Sequence, residues 1–173
     1  MLATAQSTMR QNYINGGPGV LTSGVVWLIS AIITYFVGFQ AGMVSLFVGG
    51  MLIVPVSGFI ERQMRNDISK PDKGMTRLAM LTLPLLFGGL FLGYVMSFRN
   101  EALFFEIVAI AIGLRYLVFT KVYGLKLFVI LGLLLIITGI GAYFSSIHLV
   151  VVPLTVGLFE ILIGAFLTLS KRI

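Results

Sequence analysis

The sequence predicts an all-α integral membrane protein, folded as a compact bundle of six transmembrane helices. Three observations lead to this fold class. The chain of 173 residues is 58% hydrophobic and only 10% charged, its mean hydropathy is +1.07, and its apolar residues form six long runs separated by short polar breaks. A soluble domain of this size needs a charged and polar surface, so water-soluble classes are excluded.

Each apolar run is long enough to cross a bilayer. A hydrocarbon core about 30 Å thick needs roughly 20 helical residues. Because the runs are continuous rather than alternating, helices are favoured over a transmembrane barrel. The predicted helices span residues 19–39, 41–60, 78–98, 102–121, 126–145 and 149–169, all within a single domain of residues 1–173.

The first predicted helix follows a polar stretch, Gln6 to Gly17, rather than a short basic segment. This pattern predicts a retained membrane helix and not a signal peptide. Pro18 suits the first helical position. Pro55 and Pro84 lie within the second and third predicted helices and predict kinks, whereas Pro153 falls in the first turns of the sixth, where proline is tolerated.

Small residues recur along several predicted helices. Seven-residue spacing, which keeps side chains on one helix face, relates Gly24, Ala31 and Gly38, then Gly132, Gly139 and Ser146, and finally Gly157 and Gly164; Gly89 and Gly93 form a GxxxG motif. Such faces allow helices to approach closely. We expect a tight bundle that self-associates, as a homodimer through the Gly89–Gly93 face or the stripe of the fifth helix.

Basic residues predict the orientation. Ten of the twelve Lys and Arg residues lie at the termini or in connections on one side, including the polar loop 61–77, whereas the opposite connections hold only Arg99. By the positive-inside rule, both termini and this loop are cytoplasmic. The net charge of +6 then faces anionic lipid headgroups, so membrane lipids are the expected partners and nucleic acid is not.

Several kinds of chemistry lack the residues they need. The chain has no cysteine and a single histidine, His148, which excludes disulfides, thiolate metal sites and a bis-His haem within one chain. Paired aspartates and HExxH motifs, typical of intramembrane hydrolases, are missing from the sequence. We therefore expect no catalytic residues, no metal and no cofactor, and an enzyme is the least supported class.

Three ionisable residues fall inside predicted spans: Glu106, Arg115 and Glu160. A charge at this depth costs about 2.5–3.5 kcal/mol on insertion scales, so such groups face the bundle interior and find partners. Glu106 and Arg115 lie on opposite faces of one helix. Arg115 and Glu160 lie roughly 20 Å and 17 Å from the outer ends of their helices. This matched depth predicts a buried ion pair or solute site.

Two further groups of residues are candidates. Near the predicted outer boundary, Arg99, Glu101, Glu106 and His148 form a polar cluster, although His148 alone is typical of an interfacial histidine. Cavity or packing candidates are Trp27, Pro55, Gly157 and Gly164. Trp27 lies too deep for a boundary anchor, so core packing is expected and a cavity wall is the alternative. Gly157, Glu160 and Gly164 share one helix face.

Three segments carry a resemblance to a known family: Gly16 to Leu21, Ser23 to Leu28 and Gly49 to Pro55. They resemble an uncharacterised family of small bacterial membrane proteins, a domain of unknown function, with the similarity mainly in the first two helices. The resemblance implies a multi-pass protein of the bacterial inner membrane. It implies no activity and assigns no functional residue.

Two functions remain in view. The first is transport of a small solute or ion, in which the buried charges take part. The alternative is a non-transporting scaffold or accessory subunit, in which a buried ion pair only fixes the fold. A polar cavity that reaches Glu160 favours transport, whereas a dry bundle with the ion pair fully sealed and a broad small-residue face left exposed to lipid favours the scaffold.

Overall fold

The computed structural model describes residues 2–64, 71–145 and 147–170, and this part of the chain is helical without strands. Its α-helices are α1 Leu2–Tyr13, α2 Gly17–Phe36, α3 Phe39–Met64, α4 Lys73–Met80, α5 Leu83–Ser97, α6 Ala102–Tyr123, α7 Leu127–Ser145 and α8 Val151–Leu169. Six helical stretches within the described ranges are long and apolar enough to cross a membrane. The all-helical fold and the six spans are thus confirmed.

Two short helices were not predicted. α1 takes up most of the polar stretch Gln6 to Gly17, and α4 occupies part of the expected loop 61–77, which α3 also shortens by running to Met64. Residues 65–70 of that loop lie outside the described residues. A helix N-cap explains why α4 begins at this point. The Asp72 side chain accepts a hydrogen bond from the Met75 amide at 2.9 Å, which satisfies a free N–H of the first turn.

Pro84 does not kink a continuous helix. The predicted third helix is divided into α4 and α5, with Leu81 and Thr82 between them, and Pro84 stands in the first turn of α5. Proline is tolerated there because the N–H groups of a first turn have no helical partner. The Thr82 hydroxyl donates to the Ala79 carbonyl at 2.6 Å, which satisfies one of the last carbonyls of α4.

A short 3₁₀ turn, Ile14–Gly16, forms a kink between α1 and α2. All three residues have positive φ, 47°, 58° and 74°, and Asn15 is one of the few non-glycine residue types that adopt this region readily. Its side-chain amide donates to the carbonyls of Leu167 at 3.1 Å and Ser170 at 3.0 Å. The turn is therefore tied to the end of α8.

The six spans form two groups of three. In the first group α2 packs along both α3 and α8, and in the second α6 packs along both α5 and α7. Contacts of α8 with α6 and α7 join the groups along a boundary that we call the seam. Aromatic rings fill one end of it, with Phe39 and Phe47 against Phe104 at 6.1 Å between ring centroids.

Glycines decide how closely the helices approach. A Cβ on Gly164 would lie 2.5 Å from the Leu21 amide, and one on Gly113 would lie 2.7 Å from the Gly132 carbonyl. These distances leave no room for a side chain, so α2–α8 and α6–α7 meet backbone to backbone. Gly24, Gly132, Gly139, Gly157 and Gly164 of the predicted stripes therefore pack within one chain, whereas Gly38 lies beyond the end of α2 with open space around it.

The faces expected to form a dimer are already occupied. Gly89 and Gly93 pack on α6, against Ala111 and the Phe104 carbonyl, and Gly132 and Gly139 pack on the same helix from α7. Ser146 lies outside the described residues. A homodimer stays a prediction, but these two faces were the wrong choice for it, since α6 covers them.

Candidate functional site

Glu160 is the most deeply buried ionisable side chain in the described part of the protein, with an exposed fraction of 0%. It projects from the middle of α8 toward α6 across the seam. Its Oε1 accepts a hydrogen bond of 2.7 Å from the Tyr116 hydroxyl. Its Oε2 is buried and has no hydrogen-bond partner among the described residues. One carboxyl oxygen is thus satisfied and the other is not.

Three helices surround this carboxyl group. Tyr116 comes from α6, and its ring lies in an aromatic cluster, 6.1 Å from Phe119 and 6.0 Å from Phe128 between centroids. From α2, the buried Ser23 side chain lies beside both Tyr116 and Glu160. The next residue, Gly24, admits the α8 backbone, since a Cβ there would lie 2.9 Å from the Glu160 Cβ.

The predicted ion pair between Arg115 and Glu160 is not formed. Arg115 donates from Nε to the Thr82 hydroxyl at 3.1 Å, and its guanidinium lies over the Phe119 ring, with Cζ 5.0 Å from the centroid. Arg115 and its neighbour Tyr116 lie at nearly the same depth along α6. Consecutive helical residues point about 100° apart, and it is Tyr116 that points at Glu160.

Glycine packing seals the carboxyl group. Gly157 and Gly164, one turn to either side of Glu160, are buried against α2, where Leu28 and Leu21 contact them. The two described cavities lie elsewhere. The lining residues of the first are Asn100, Glu101, Ala102, Glu106, Ala142, Tyr143, Ile147 and Leu149. The second includes Asn12, Glu61 and Arg62 among its lining residues. Glu160 lines neither of them.

The predicted outer cluster is only partly brought together. Glu101 and Glu106 line one cavity of about 350 Å³. Glu106 is buried, with 6% exposed, and its Oε2 has no hydrogen-bond partner among the described residues. Arg99 and His148 are exposed and are not part of the described lining. His148 instead accepts a long hydrogen bond, 3.4 Å, from the Val150 amide at the start of α8.

The remaining candidates differ in role. Trp27 is 1% exposed and packs with its ring centroid 6.2 Å from that of Phe105, so it belongs to the core as expected. Pro55 is exposed on the outside of α3 and lines neither described cavity. α3 packs mainly on α2, and Pro55 lies on the outer surface of the bundle.

A family model of unknown function, DUF7010, matches residues 2–170, which is nearly the whole chain. The chain belongs to the DUF7010 family. The resemblance to an uncharacterised family is thereby confirmed, and the match extends beyond the first two helices. No curated protein and no solved structure matches this DUF7010 chain.

Sequence reasoning missed three residues that complete the sites of this DUF7010 protein. Tyr116 was not among the candidate residues, yet it is 5% exposed and donates a hydrogen bond to Glu160. Ser23 and Thr82 were not singled out. One feature of the sequence could have identified Tyr116. Its depth in the membrane matches that of Glu160 as closely as the depth of Arg115 does. Short hydroxyl side chains in an apolar helix gave no comparable signal.

Proposed function

We propose that this protein is a small transporter of the bacterial inner membrane, with both termini in the cytoplasm, in which Glu160 binds a proton or a small cation. The observation that carries the proposal is the unpartnered Oε2 of Glu160, at the seam between the two helix groups. Ionisable residues inside membrane spans are rare and commonly mark ion or solute paths.

The energetic cost of the unpartnered oxygen distinguishes a side chain that binds a ligand from one that only packs. A buried acceptor without a partner costs about 1–3 kcal/mol. Glutamine at this position would keep the bond from Tyr116 and carry no ionisable group. A carboxyl group with one free oxygen instead retains the capacity to take up a proton or a cation and release it again. Uptake and release of a proton or cation by Glu160 would explain why the protein keeps a buried oxygen without a partner.

The two helix groups supply a way to reach the sealed site. Alternating access commonly arises when one bundle rocks against another around a fixed site at the middle of the membrane. Here the Tyr116–Glu160 hydrogen bond crosses the seam from α6 to α8, so it changes when the groups move apart. The present structure, with Glu160 fully enclosed, corresponds to an occluded conformation.

The test is ion flux in liposomes that contain the purified protein. A potassium diffusion potential is imposed, and proton entry is followed with an enclosed pH-sensitive dye; a parallel series measures uptake of radioactive sodium and rubidium. We expect flux above that of protein-free liposomes, reduced to that background by Glu160→Gln. Tyr35→Phe, on the exposed face of α2, is the matched control and should retain full flux.

A second function is favoured by one specific observation: Glu160 is completely enclosed and lines neither described cavity. This sealing suits a scaffold or accessory subunit, in which the polar contact only sets how α6 and α8 pack. If wild-type protein gives no proton, sodium or rubidium flux, the transport proposal is wrong. A lower thermal stability of Glu160→Leu then supports the scaffold, because the contact of Glu160 would stabilise the packing of α6 on α8.

A further inference from the structure

The cavity at the predicted outer end of the bundle is separate from the Glu160 site. It lies where the connections α5–α6 and α7–α8 meet, has a volume of about 350 Å³, and is lined by Glu101 and Glu106 on one side and by Ala142 and Tyr143 on the other. This volume is within the range of small-molecule pockets, about 300–1,000 Å³. It exceeds what a single bare ion needs.

Glu106 gives this cavity its chemistry. Its side chain is more than nine-tenths buried, lines the cavity, and has an Oε2 without any hydrogen-bond partner among the described residues. Native proteins rarely leave buried polar atoms unpartnered. Glu101, five residues earlier and just before α6, adds a second, exposed carboxylate to the lining. The described lining contains neither Lys nor Arg, so its charge is negative.

The other lining residues indicate which kind of cation the cavity suits. Within the described ranges no three His, Asp or Glu side chains are grouped so as to hold a metal ion, and Ca²⁺ would need six or more oxygen ligands. The amide oxygen of Asn100 is already engaged with the Ala102 N–H at 3.0 Å. Ala142 and Leu149 add apolar wall beside the carboxyl groups. A charged group with N–H donors and a short carbon chain suits this combination.

We propose that the cavity binds a primary ammonium group, with Glu106 accepting its hydrogen bonds and Glu101 at the entrance. In the proposed complex the N–H donors of the ammonium pair with the Glu106 carboxylate, whose enclosed Oε2 turns toward the ligand, and the attached carbon atoms contact Ala142 and Leu149. The group can belong to a free small amine or to the headgroup of an aminophospholipid, since the cavity opens at the level expected for headgroups. The site does not depend on the role of Glu160.

The test measures thermal unfolding of the purified protein in detergent without added lipid, titrated with ethylammonium chloride. Tetramethylammonium chloride, which has the charge but no N–H donor, and ethanol are the comparison probes. We expect a saturable rise in melting temperature with ethylammonium alone. Glu106→Gln should weaken its apparent affinity about tenfold or more, because one charge-assisted interaction is lost, whereas Tyr35→Phe should leave it unchanged.

A second arm separates the two sources of the ammonium group. The protein is placed in nanodiscs of phosphatidylcholine with or without phosphatidylethanolamine. Stabilisation by phosphatidylethanolamine that Glu106→Gln abolishes, without a response to ethylammonium, identifies a lipid site; a response to ethylammonium identifies a site open to free amines. Ala102→Leu, which fills the cavity without altering the acid, should weaken either response and serves if Glu106→Gln does not fold.

Three results would overturn the proposal: no saturable effect of either ammonium source on wild-type protein, equal effects on Glu106→Gln and wild type, or an equal effect of tetramethylammonium. Stabilisation by sodium or potassium alone would also overturn it, since the site would then select a bare ion. The measurement requires no flux, so failure here is distinguishable from failure of the transport proposal.

Discussion

At the scale of single residues, the protein places two carboxyl groups in apolar surroundings and leaves one oxygen of each without a partner, in Glu106 and Glu160. Arg115 neutralises neither of them by direct contact, because Thr82 and Phe119 hold its guanidinium. Tyr116, through its hydrogen bond, and Ser23 are therefore the polar side chains that the described residues place against Glu160.

Loss of this hydrogen bond has a measurable cost. Tyr116→Phe leaves Oε1 of Glu160 without its donor, and we expect the free energy of unfolding to fall by about 1–3 kcal/mol. Tyr35→Phe, whose ring is 68% exposed, should change it by less than about 0.5 kcal/mol. Equal effects of the two variants, measured by thermal or denaturant unfolding in detergent, would show that the bond contributes nothing.

A double-mutant cycle tests the partnership itself. Tyr116→Phe and Glu160→Leu should not be additive, with a coupling of about 0.5–2 kcal/mol, the range found for hydrogen bonds between membrane helices. The same cycle with Arg115→Leu in place of Tyr116→Phe should show the smaller coupling, because Arg115 and Glu160 do not touch. A larger coupling for Arg115 would restore the ion pair that the sequence suggested.

At the scale of helices, glycine position explains which elements approach closely. Gly24 faces α8, where a Cβ would lie 2.7 Å from the Ile161 amide, whereas Gly50 on α3 has open space around it. The sequence alone cannot separate these two glycines, since both lie in apolar helices. It predicted the stripes from their spacing, but whether a stripe meets a neighbour in the same chain or in a second copy depends on the fold.

Alanine at these two positions should have opposite effects. Gly24→Ala overpacks the α2–α8 contact and should destabilise the protein by about 1–3 kcal/mol. Gly50→Ala adds a methyl group to an open position and should be neutral or stabilising by up to about 1 kcal/mol, since alanine favours helix. Melting temperatures of both variants in one detergent provide the comparison. Similar destabilisation by both would contradict the packing described for α2 and α8.

The spans themselves were the most predictable part of the fold, because the bilayer fixes their length and their composition. Their ends agree with the structure to within a few residues, except where α4 separates from α5 and where α3 extends to Met64. Short amphipathic helices such as α1 carry no such constraint. Side-chain partners were the least predictable, since depth gives a level in the membrane but not a direction around the helix.

At the scale of the whole molecule, the predicted orientation rests on ten of the twelve basic residues lying on one side. We expect a reporter active only in the cytoplasm to work when fused after Ile173, and a reporter active only in the periplasm to work when inserted at Asn100. The opposite pattern would invert the topology and place the ammonium cavity on the cytoplasmic side, while leaving its binding test unaffected.

The packing of α2 against α8 also bears on how the protein is made. A ribosome delivers α2 to the membrane early and α8 only after α3 to α7, so the glycine face around Gly24 waits for its partner while these helices are made. Until α8 arrives, lipid or an insertion factor can cover that face. A nascent chain stalled before Val151 should therefore be far more susceptible to membrane proteases than the finished protein.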